Sequence, residues 1–243
     1  MYQDFSYFYD RFAYDIDYGK FYRYYKKIFE RFSLSPKLVL DMCCGTGTLT
    51  TLMAEDYDMI GVDSSWEMLD VAREKDKNGN ILYLNQSMTD FELYGTVDAC
   101  YSSLDSVNYL IDDVDLKKHF LLMKNYLNPN GLYIFDISTI YKFRYVLGNK
   151  TFTDETETDL FVWQNCYENR LLTMDLDIFS ETDNGTYERI SETHYERGYT
   201  VLEITKAAEA CGFRVEAVYD EFSFLPAHSK SSRIFFVIRS VEQ

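Results

Sequence analysis

The sequence predicts an α/β fold with a parallel sheet, helices on both faces of that sheet, and an antiparallel β insert. Three observations support this fold class. Short apolar runs alternate with amphipathic helical patterns over residues 38–136. Residues 151–197 instead alternate apolar and polar side chains with a period of two, which is typical of antiparallel strands. Alternation of strand and helix returns after residue 199, and such alternation predicts a parallel sheet.

The predicted strands of the alternating part are short apolar runs, at 38–42, 59–62, 81–84, 97–101 and 132–136. Helices are predicted over 47–55 and 113–127 between these runs. A further helix begins after Ser64, which we expect to form a capping box with Glu67. His119 is expected to lie on the polar side of its helix, in contact with solvent.

The two ends of the chain and the insert follow other patterns. Residues 2–32 are crowded with tyrosine and phenylalanine, which predicts one or two amphipathic helices lying across the domain. The insert contains predicted strands at 151–157, 160–168, 171–180 and 186–197, with a hairpin signal at Asp183-Asn184-Gly185. A helix containing Ile204 and Ala208 then leads to strands at 213–219 and 233–239.

Composition narrows the class of protein. The chain has 243 residues, 47% of them hydrophobic, so a sizeable core is expected. Its net charge of −16 disfavours nucleic acid as a partner, because such binding depends on neutralising phosphates. No run is long enough to cross a membrane, and no signal peptide is recognisable. The five cysteines are odd in number and none has C-x-x-C spacing, so we expect a reducing cytoplasmic location and no metal site.

The most informative motif is Asp41-Met42-Cys43-Cys44-Gly45-Thr46-Gly47, where an apolar strand ends in an acid and a glycine-bearing turn. The next predicted strand ends in Asp63, 22 residues after Asp41. In Rossmann-type units an acid at about this distance bonds ribose hydroxyls. The pattern therefore predicts a nucleoside-cofactor site. A dinucleotide fingerprint needs a third glycine at position 50, which is Thr50 here.

This motif resembles motif I of the class I S-adenosylmethionine-dependent methyltransferases, usually D/E-x-G-x-G-x-G. Cys43 stands where that family usually has glycine, and it fits the turn if its φ is negative. The resemblance covers about residues 36–138 and 199–239. It implies a Rossmann-like seven-stranded sheet that ends in an antiparallel hairpin, with S-adenosyl-L-methionine as the cofactor.

The resemblance also implies roles for individual residues. Asp41 would lie near the amino-acid part of the cofactor, and Asp63 would bind the ribose, with helix capping as the alternative for Asp63. Met68 would pack on the adenine, with a plain core position as its alternative. Ser87 occupies a position that is commonly Asp in the family. The implied cofactor-binding residues are Tyr9, Asp41, Cys43, Gly45, Thr46, Gly47, Asp63, Ser64, Met68, Gln86, Ser87, Met88, Ser102 and Leu104.

Candidates for the chemistry come from two segments. Asp105-Ser106-Val107-Asn108-Tyr109 resembles a D-S-x-N-Y sequence of a small-molecule-type subgroup, in the region that meets the methyl group. His194, flanked by acids and a base, is the preferred general base, with pairing to its sheet neighbours as the alternative. The candidate catalytic residues are His194, Tyr109 and Asp105. The candidate substrate-binding residues are Asn108, Tyr109, Trp163 and Arg197.

We therefore expect an N-terminal helical lid at 1–35, a methyltransferase domain at 36–138 and 199–243, and a substrate-binding insert at 139–198. The expected activity is methyl transfer from S-adenosylmethionine to an acceptor that is a small molecule. A binding protein that has lost catalysis and an NAD-type oxidoreductase are the alternatives. The aromatic N-terminus could also support a homodimer.

Overall fold

The computed structural model describes residues 9–10 and 15–241. Expectations that concern residues 1–8, 11–14 and 242–243, including the first part of the predicted N-terminal lid, lie outside the described residues. In the described part of the chain, none of the helices is both long enough and apolar enough to span a membrane.

The strands in chain order are β1 (Leu38–Met42), β2 (Asp58–Asp63), β3 (Leu82–Asn85), β4 (Val97–Ser102), β5 (Leu127–Ser138), β6 (Thr151–Glu155), β7 (Asp159–Glu168), β8 (Leu171–Glu181), β9 (Tyr187–Arg197), β10 (Phe213–Asp220) and β11 (Arg233–Ser240). The α-helices are α1 (Tyr18–Arg31), α2 (Thr48–Met53), α3 (Trp66–Lys75), α4 (Asp113–Tyr126) and α5 (Val201–Ala210). A 3₁₀ turn spans Ser106–Tyr109, and a π-helical segment spans Lys142–Leu147.

Seven strands form one sheet in the order β10-β11-β5-β4-β1-β2-β3. Strands β1 to β5 pair in parallel, whereas β11 is antiparallel to both β5 and β10. Strand β1 lies between β2 and β4, so the chain order reverses at this point. In open α/β sheets, ligands bind at such a switch point, outside the carboxyl ends of the strands. The predicted fold class is confirmed.

Helices bury both faces of this sheet. On one face, Phe21, Tyr25 and Ile28 of α1 pack with Leu49 and Met53 of α2 against the sheet. On the other face, α4 and α5 cover the sheet with a second apolar cluster. Each fully buried side chain of this size stabilises the fold by about 1.5–3 kcal/mol. The sheet is therefore fixed from both sides, and its carboxyl edge remains available for a site.

The second sheet is four-stranded and antiparallel, in the order β6-β7-β8-β9. Its predicted alternation is observed: Leu172, Met174 and Ile178 of β8 are buried, while Asp175 between them is exposed. Met174 pairs with His194, and Leu172 pairs with Glu196. Because directly paired residues point to the same side of a sheet, these four side chains share one face.

Two local expectations are wrong. Ser65, not Ser64, is the N-cap of α3, and its hydroxyl accepts a hydrogen bond from the Met68 N–H at 3.1 Å. His119 is fully buried rather than solvated, with its Nδ1 2.9 Å from the Met88 carbonyl and its Nε2 2.8 Å from the Tyr133 hydroxyl. Burial lowers the pKa of His119 to about 4, so this imidazole is neutral at pH 7.

Candidate active site

A cavity of about 660 Å³ lies between the carboxyl edge of the seven-stranded sheet and the inner face of the four-stranded sheet. This volume is within the usual range for small-molecule sites. Most of the site residues predicted from the sequence line it. These are Tyr9, Asp41, Cys43, Gly45, Thr46, Asp63, Ser64, Met68, Ser87, Met88, Leu104, Tyr109, Trp163 and His194.

The turn after β1 is built from left-handed residues. Cys43, Gly45 and Gly47 have φ of 64°, 53° and 70°. The expectation of a negative φ at Cys43 is wrong, and its conformation is one that few residues other than glycine adopt. A Cβ on Gly45 would meet no atom within 4 Å, so this backbone borders the open cavity. A Cβ on Gly47 would lie 2.8 Å from the Ala72 Cβ, so Gly47 instead permits close packing against α3.

Asp63 stands at the end of β2, and both of its carboxylate oxygens accept backbone hydrogen bonds. Oδ2 accepts from the Gly45 N–H at 2.8 Å, and Oδ1 accepts from the Ser65 N–H at 2.9 Å. Burial raises the pKa of Asp63, and these N–H donors oppose that rise. Each oxygen has a second lone pair for a ligand hydroxyl. Asp63 thus supports the N-cap residue Ser65 without capping α3 itself, and its lone pairs leave room for the predicted ribose hydroxyls.

Asp41, at the end of β1, is almost fully buried at the floor of the cavity. Its Oδ2 accepts hydrogen bonds from the Thr50 hydroxyl at 2.6 Å and the Tyr101 hydroxyl at 2.9 Å. Burial raises the pKa of Asp41 to about 7, although these two hydroxyls oppose the rise. Its charge is therefore sensitive to a cation in the cavity near neutral pH.

An apolar patch lies on the far side of Asp63. Met68 is 7% exposed and packs with Ile178, Tyr9 and Phe161. Ser87 and Met88, which follow β3, also line this part of the cavity. A flat aromatic ring of a ligand could pack on this apolar surface and meet polar atoms at its rim.

The loop after β4 forms the wall between the two sheets. Leu104 and Asp105 both have positive φ, and the carboxylate of Asp136 accepts both of their backbone N–H groups, at 2.9 and 3.0 Å. Arg233 forms ion pairs with both Asp136 and Asp105. Burial by itself raises the pKa of Asp105, but Arg233 and Lys142 hold it below its usual value. This buried network fixes a loop conformation that would otherwise be strained.

The inner face of the four-stranded sheet supplies the remaining wall. Apolar side chains there come from Phe161, Met174 and Leu176. His194 lies among them, with its Nδ1 3.1 Å from the Tyr109 hydroxyl and its Nε2 3.0 Å from a Glu192 carboxylate oxygen. His194 thus lines the cavity and also contacts Tyr109 and Glu192, and its role as general base stays a prediction.

Three predicted cofactor residues lie outside the cavity lining. Gly47 is packed against α3, as described above. The Gln86 side-chain carbonyl accepts a hydrogen bond from the Glu92 N–H at 2.9 Å. Ser102 is fully buried and accepts a hydrogen bond from the Tyr133 hydroxyl at 3.0 Å. These contacts place all three in supporting positions.

Three predicted catalytic or substrate residues also lie outside the lining. Asp105 belongs to the buried ion network. Asn108 is fully buried: its Nδ2 donates to the Ser138 carbonyl at 3.0 Å and to the Arg197 carbonyl at 2.8 Å, and its Oδ1 accepts from the Ser138 N–H. The Arg197 guanidinium pairs with Asp113 at 2.8 Å. Asn108 thereby joins β5 to β9.

Among the cavity residues that the sequence analysis missed, two lie on the insert beside predicted ones. Glu196 follows His194 by two positions on β9, and Phe161 precedes Trp163 by two positions on β7. Both line the cavity. The period of two along a strand places such residues on one face, so that pattern could have identified them.

The residues present fit an adenosyl cofactor. Asp63 offers acceptors to a ribose diol, Gly45 borders open space, and Met68 contributes an apolar surface. The donors that hold Asp63 come from the backbone, so the carboxylate is in position before any ligand binds. Such preorganisation is what a tight nucleoside site requires.

Comparison with known proteins agrees with this geometry. A family model described as "Methyltransferase domain" matches residues 39–131. The chain is 32% identical over 202 residues to a Bacillus subtilis (strain 168) protein named "Putative methyltransferase YqeM", covering 82% of each chain. The crystal structure of an S-adenosylmethionine-dependent methyltransferase from Clostridium acetobutylicum ATCC 824 has 30% identity and a TM-score of 0.89, with 99% of each chain covered.

A more distant structure shares the fold. The sugar N-methyltransferase KedS8 from Streptoalloteichus sp ATCC 53650 has 19% identity and a TM-score of 0.80, with 96% of this chain and 93% of that chain covered. The glycine-bearing turn, the two strand-end acids and the match to relatives at 30% identity or more over most of the chain lead to one conclusion. This chain belongs to the S-adenosylmethionine-dependent methyltransferases.

Proposed function

We propose that this methyltransferase acts on a small molecule bound between its two sheets. The observation that carries the proposal is that one cavity is lined both by the turn after β1 and by the face of the four-stranded sheet. Cofactor and acceptor would therefore meet in the same cavity. A fold shared with a sugar N-methyltransferase supports an acceptor of this size.

The seven-stranded sheet would hold the cofactor. Asp63 would bind the ribose hydroxyls, Asp41 would face the amino-acid end, and Met68 would contact the adenine. When bound, S-adenosylmethionine supplies a methyl group already activated by its sulfonium. The protein therefore has to position the acceptor in line with that group and exclude water, and such positioning is a large part of catalysis.

The four-stranded sheet would hold the acceptor. Phe161, Trp163 and Leu176 provide an apolar surface on the insert side of the cavity, where Phe161 also packs against Met68. Aromatic and aliphatic side chains with a few polar groups are typical of small-ligand sites. An acidic lining and a net charge of −16 make a phosphate-rich acceptor unfavourable.

His194 would act as general base where the acceptor is a hydroxyl or another uncharged group that must lose a proton. Its ring is held by Tyr109 and Glu192, so one nitrogen could exchange a proton through the Tyr109 hydroxyl. General bases contribute about 10²–10⁴-fold to rate. The change His194→Ala should reduce turnover by that order while leaving S-adenosylhomocysteine affinity, measured by calorimetry, unchanged.

The test of the proposal has two stages. Calorimetry with S-adenosylmethionine, S-adenosylhomocysteine and NAD should show binding of the first two ligands only. Transfer of a radiolabelled methyl group to a panel of small metabolites, with RNA and total protein as comparison acceptors, should label a small molecule. Label found only in RNA or protein would contradict the proposal. Cofactor binding with no transfer to any acceptor would favour the alternative of a binding protein without catalysis.

A further inference from the structure

Glu196 is a buried acid that the proposed chemistry has not yet used. It lies on β9 opposite Leu172, is 5% exposed and lines the cavity. Among the residues that the structure describes, none forms a hydrogen bond or an ion pair with its carboxyl group. An unpaired buried carboxyl group is costly, since its ionised form has lost water without gaining a partner. Such a group requires an explanation.

The cavity lining is rich in carboxyl groups. Its lining carboxyl groups belong to Asp15, Asp41, Asp63, Asp115 and Glu196. Among the described lining residues there is no lysine or arginine. An acceptor carrying a phosphate or carboxylate near the methyl group would therefore be repelled, whereas a cation would be attracted.

The positive groups nearest Glu196 already have partners. Lys142 lies 3.5 Å from the Asp105 carboxylate, and Arg233 pairs with both Asp105 and Asp136. These two cations are therefore largely neutralised by the ion network behind the cavity. The carboxyl group of Glu196 is left as the polar group that faces a ligand from the insert.

Aromatic rings also line the cavity. Trp163 and Phe161 lie on β7, and Tyr109 belongs to the 3₁₀ turn after β4. The faces of such rings attract cations. The indole N–H of Trp163 is also buried, and no described residue accepts its hydrogen bond. The carboxyl group of Glu196 and these aromatic rings thus line one space, an arrangement that suits an organic cation.

We propose that the acceptor is a small amine and that Glu196 binds its ammonium form and removes one proton from it. The inference rests on the proposed function and names the acceptor class for the same site. The N–H bond breaks first, and its proton passes to the Glu196 carboxylate. The free nitrogen lone pair then forms the bond to the methyl carbon as the carbon–sulfur bond breaks, and that bonding pair stays on sulfur as a neutral thioether. The proton leaves Glu196 to solvent.

The surroundings of Glu196 suit a proton acceptor. Burial and the nearby Asp105 raise its pKa well above the usual range, Lys142 and Arg233 oppose this, and Asp136 adds to it. His194, two residues along the strand, faces the same space. A carboxyl group with a raised pKa is a stronger base than an ordinary glutamate, so it can take a proton from an ammonium group more readily.

The inference is tested by binding to the protein saturated with S-adenosylhomocysteine. The probes are three matched series, each with one carbon skeleton and three head groups: benzylamine, benzyl alcohol and benzoate, then the cyclohexyl and n-butyl equivalents. Saturation-transfer NMR titrations give the affinities. The amine that binds best should have an affinity about tenfold or more higher than that of the alcohol with the same carbon skeleton, and the carboxylates should not bind. No preference for the amine in any series would overturn the inference.

The variant Glu196→Gln keeps the shape of the side chain and removes its charge. It should abolish the preference for the amine over the alcohol while retaining affinity for S-adenosylhomocysteine. Glu188→Gln, an exposed acid on the same strand, makes the same change in net charge and should retain the preference. An unchanged preference in Glu196→Gln would overturn the inference. Failure of the native protein to bind S-adenosylhomocysteine would instead contradict the proposed function.

Discussion

The cavity has two walls that meet the same space with different kinds of residue. The sheet-edge wall comprises the carboxyl ends of β1 and β2 with the turns that follow them, and the insert wall is the inner face of β7, β8 and β9. On the sheet-edge wall, Asp41 and Asp63 each accept two hydrogen bonds from the protein. On the insert wall, the Glu196 carboxyl group and the Trp163 indole N–H have none from the described residues.

The two walls therefore differ in whether their polar groups find hydrogen-bond partners within the protein. The hydrogen bonds of the sheet-edge wall fix its acids in one geometry, which suits a ligand that is always the same. The Glu196 carboxyl group of the insert wall gains a partner only when a ligand brings one. We infer that the first wall is preorganised for the cofactor and that the second sets the choice of acceptor.

The largest expected effect concerns the ion network that supports the β4 loop. Asp136→Asn leaves the buried Arg233 without its closest partner and should lower the free energy of unfolding by about 3–5 kcal/mol. Asp177→Asn is the matched change on the insert, where Arg189 is exposed, and should cost about 1 kcal/mol or less. Urea unfolding of both variants measures the difference. Equal losses of unfolding free energy in the two variants would show that the ion pair behind the β4 loop is no more important for stability than the exposed pair on the insert.

The next effect is on cofactor affinity. Asp63→Ala removes acceptors for the ribose hydroxyls, and two hydrogen bonds to a charged group correspond to a loss of roughly a hundredfold. Trp163→Phe alters the insert wall and should leave S-adenosylhomocysteine affinity unchanged. Calorimetry with both variants checks the assignment of the two walls. The assignment fails if the tryptophan variant loses as much affinity as the aspartate variant.

Two glycines offer a comparison of backbone strain. Gly47 and Gly185 have nearly the same φ, 70° and 72°, but only a Cβ on Gly47 would meet other atoms, the Ala72 Cβ at 2.8 Å among them. Gly185→Ala should lower the free energy of unfolding by about 1 kcal/mol, because alanine is strained in the left-handed backbone conformation. Gly47→Ala should cost about 1–2 kcal/mol more, because it also overpacks the contact with α3. Similar unfolding free energies for the two variants would show that the contact relaxes freely.

The smallest effect is a pH dependence of cofactor affinity. Burial raises the pKa of Asp41 to about 7, so the carboxyl is largely protonated below that pH. A bound cation favours the ionised form, so S-adenosylmethionine should bind more tightly as pH rises from about 6 to about 8, by up to about tenfold. Asp41→Asn should remove this part of the pH dependence. Adenosine, which lacks the amino-acid end, should not show it in the native protein.

The sequence carried enough information for the fold and for the sheet-edge wall. Alternating apolar runs mark strands locally, and the spacing from Asp41 to Asp63 follows from the geometry of one β-α-β unit. The inner face of β8 was also predictable, because alternation along Leu172 to Ile178 requires no knowledge of other elements. These predictions depend on short stretches of chain.

Predictions failed or were incomplete where distant segments decide the outcome. His119 was expected in solvent, but the Met88 carbonyl and the Tyr133 hydroxyl satisfy its ring in the core. The positive φ of Cys43 belongs to a turn whose backbone is bonded to the neighbouring strand, since the Cys44 N–H donates to the Val62 carbonyl. The period of two could place Glu196 beside His194, but its burial without a hydrogen-bond partner depends on packing between distant segments, so only the structure shows it.

The side-chain amide of Asn108 touches the backbone of both sheets, at Ser138 on β5 and at Arg197 on β9. Because one rigid group holds that corner, the near end of the insert is anchored while its far hairpin, around Gly185, stands well away along the chain. Substitutions on the inner face of β7 and β8, where Phe161, Trp163 and Met174 line the cavity, therefore leave this anchor in place. A family with this architecture could change what it modifies over evolutionary time while keeping the same methyl donor.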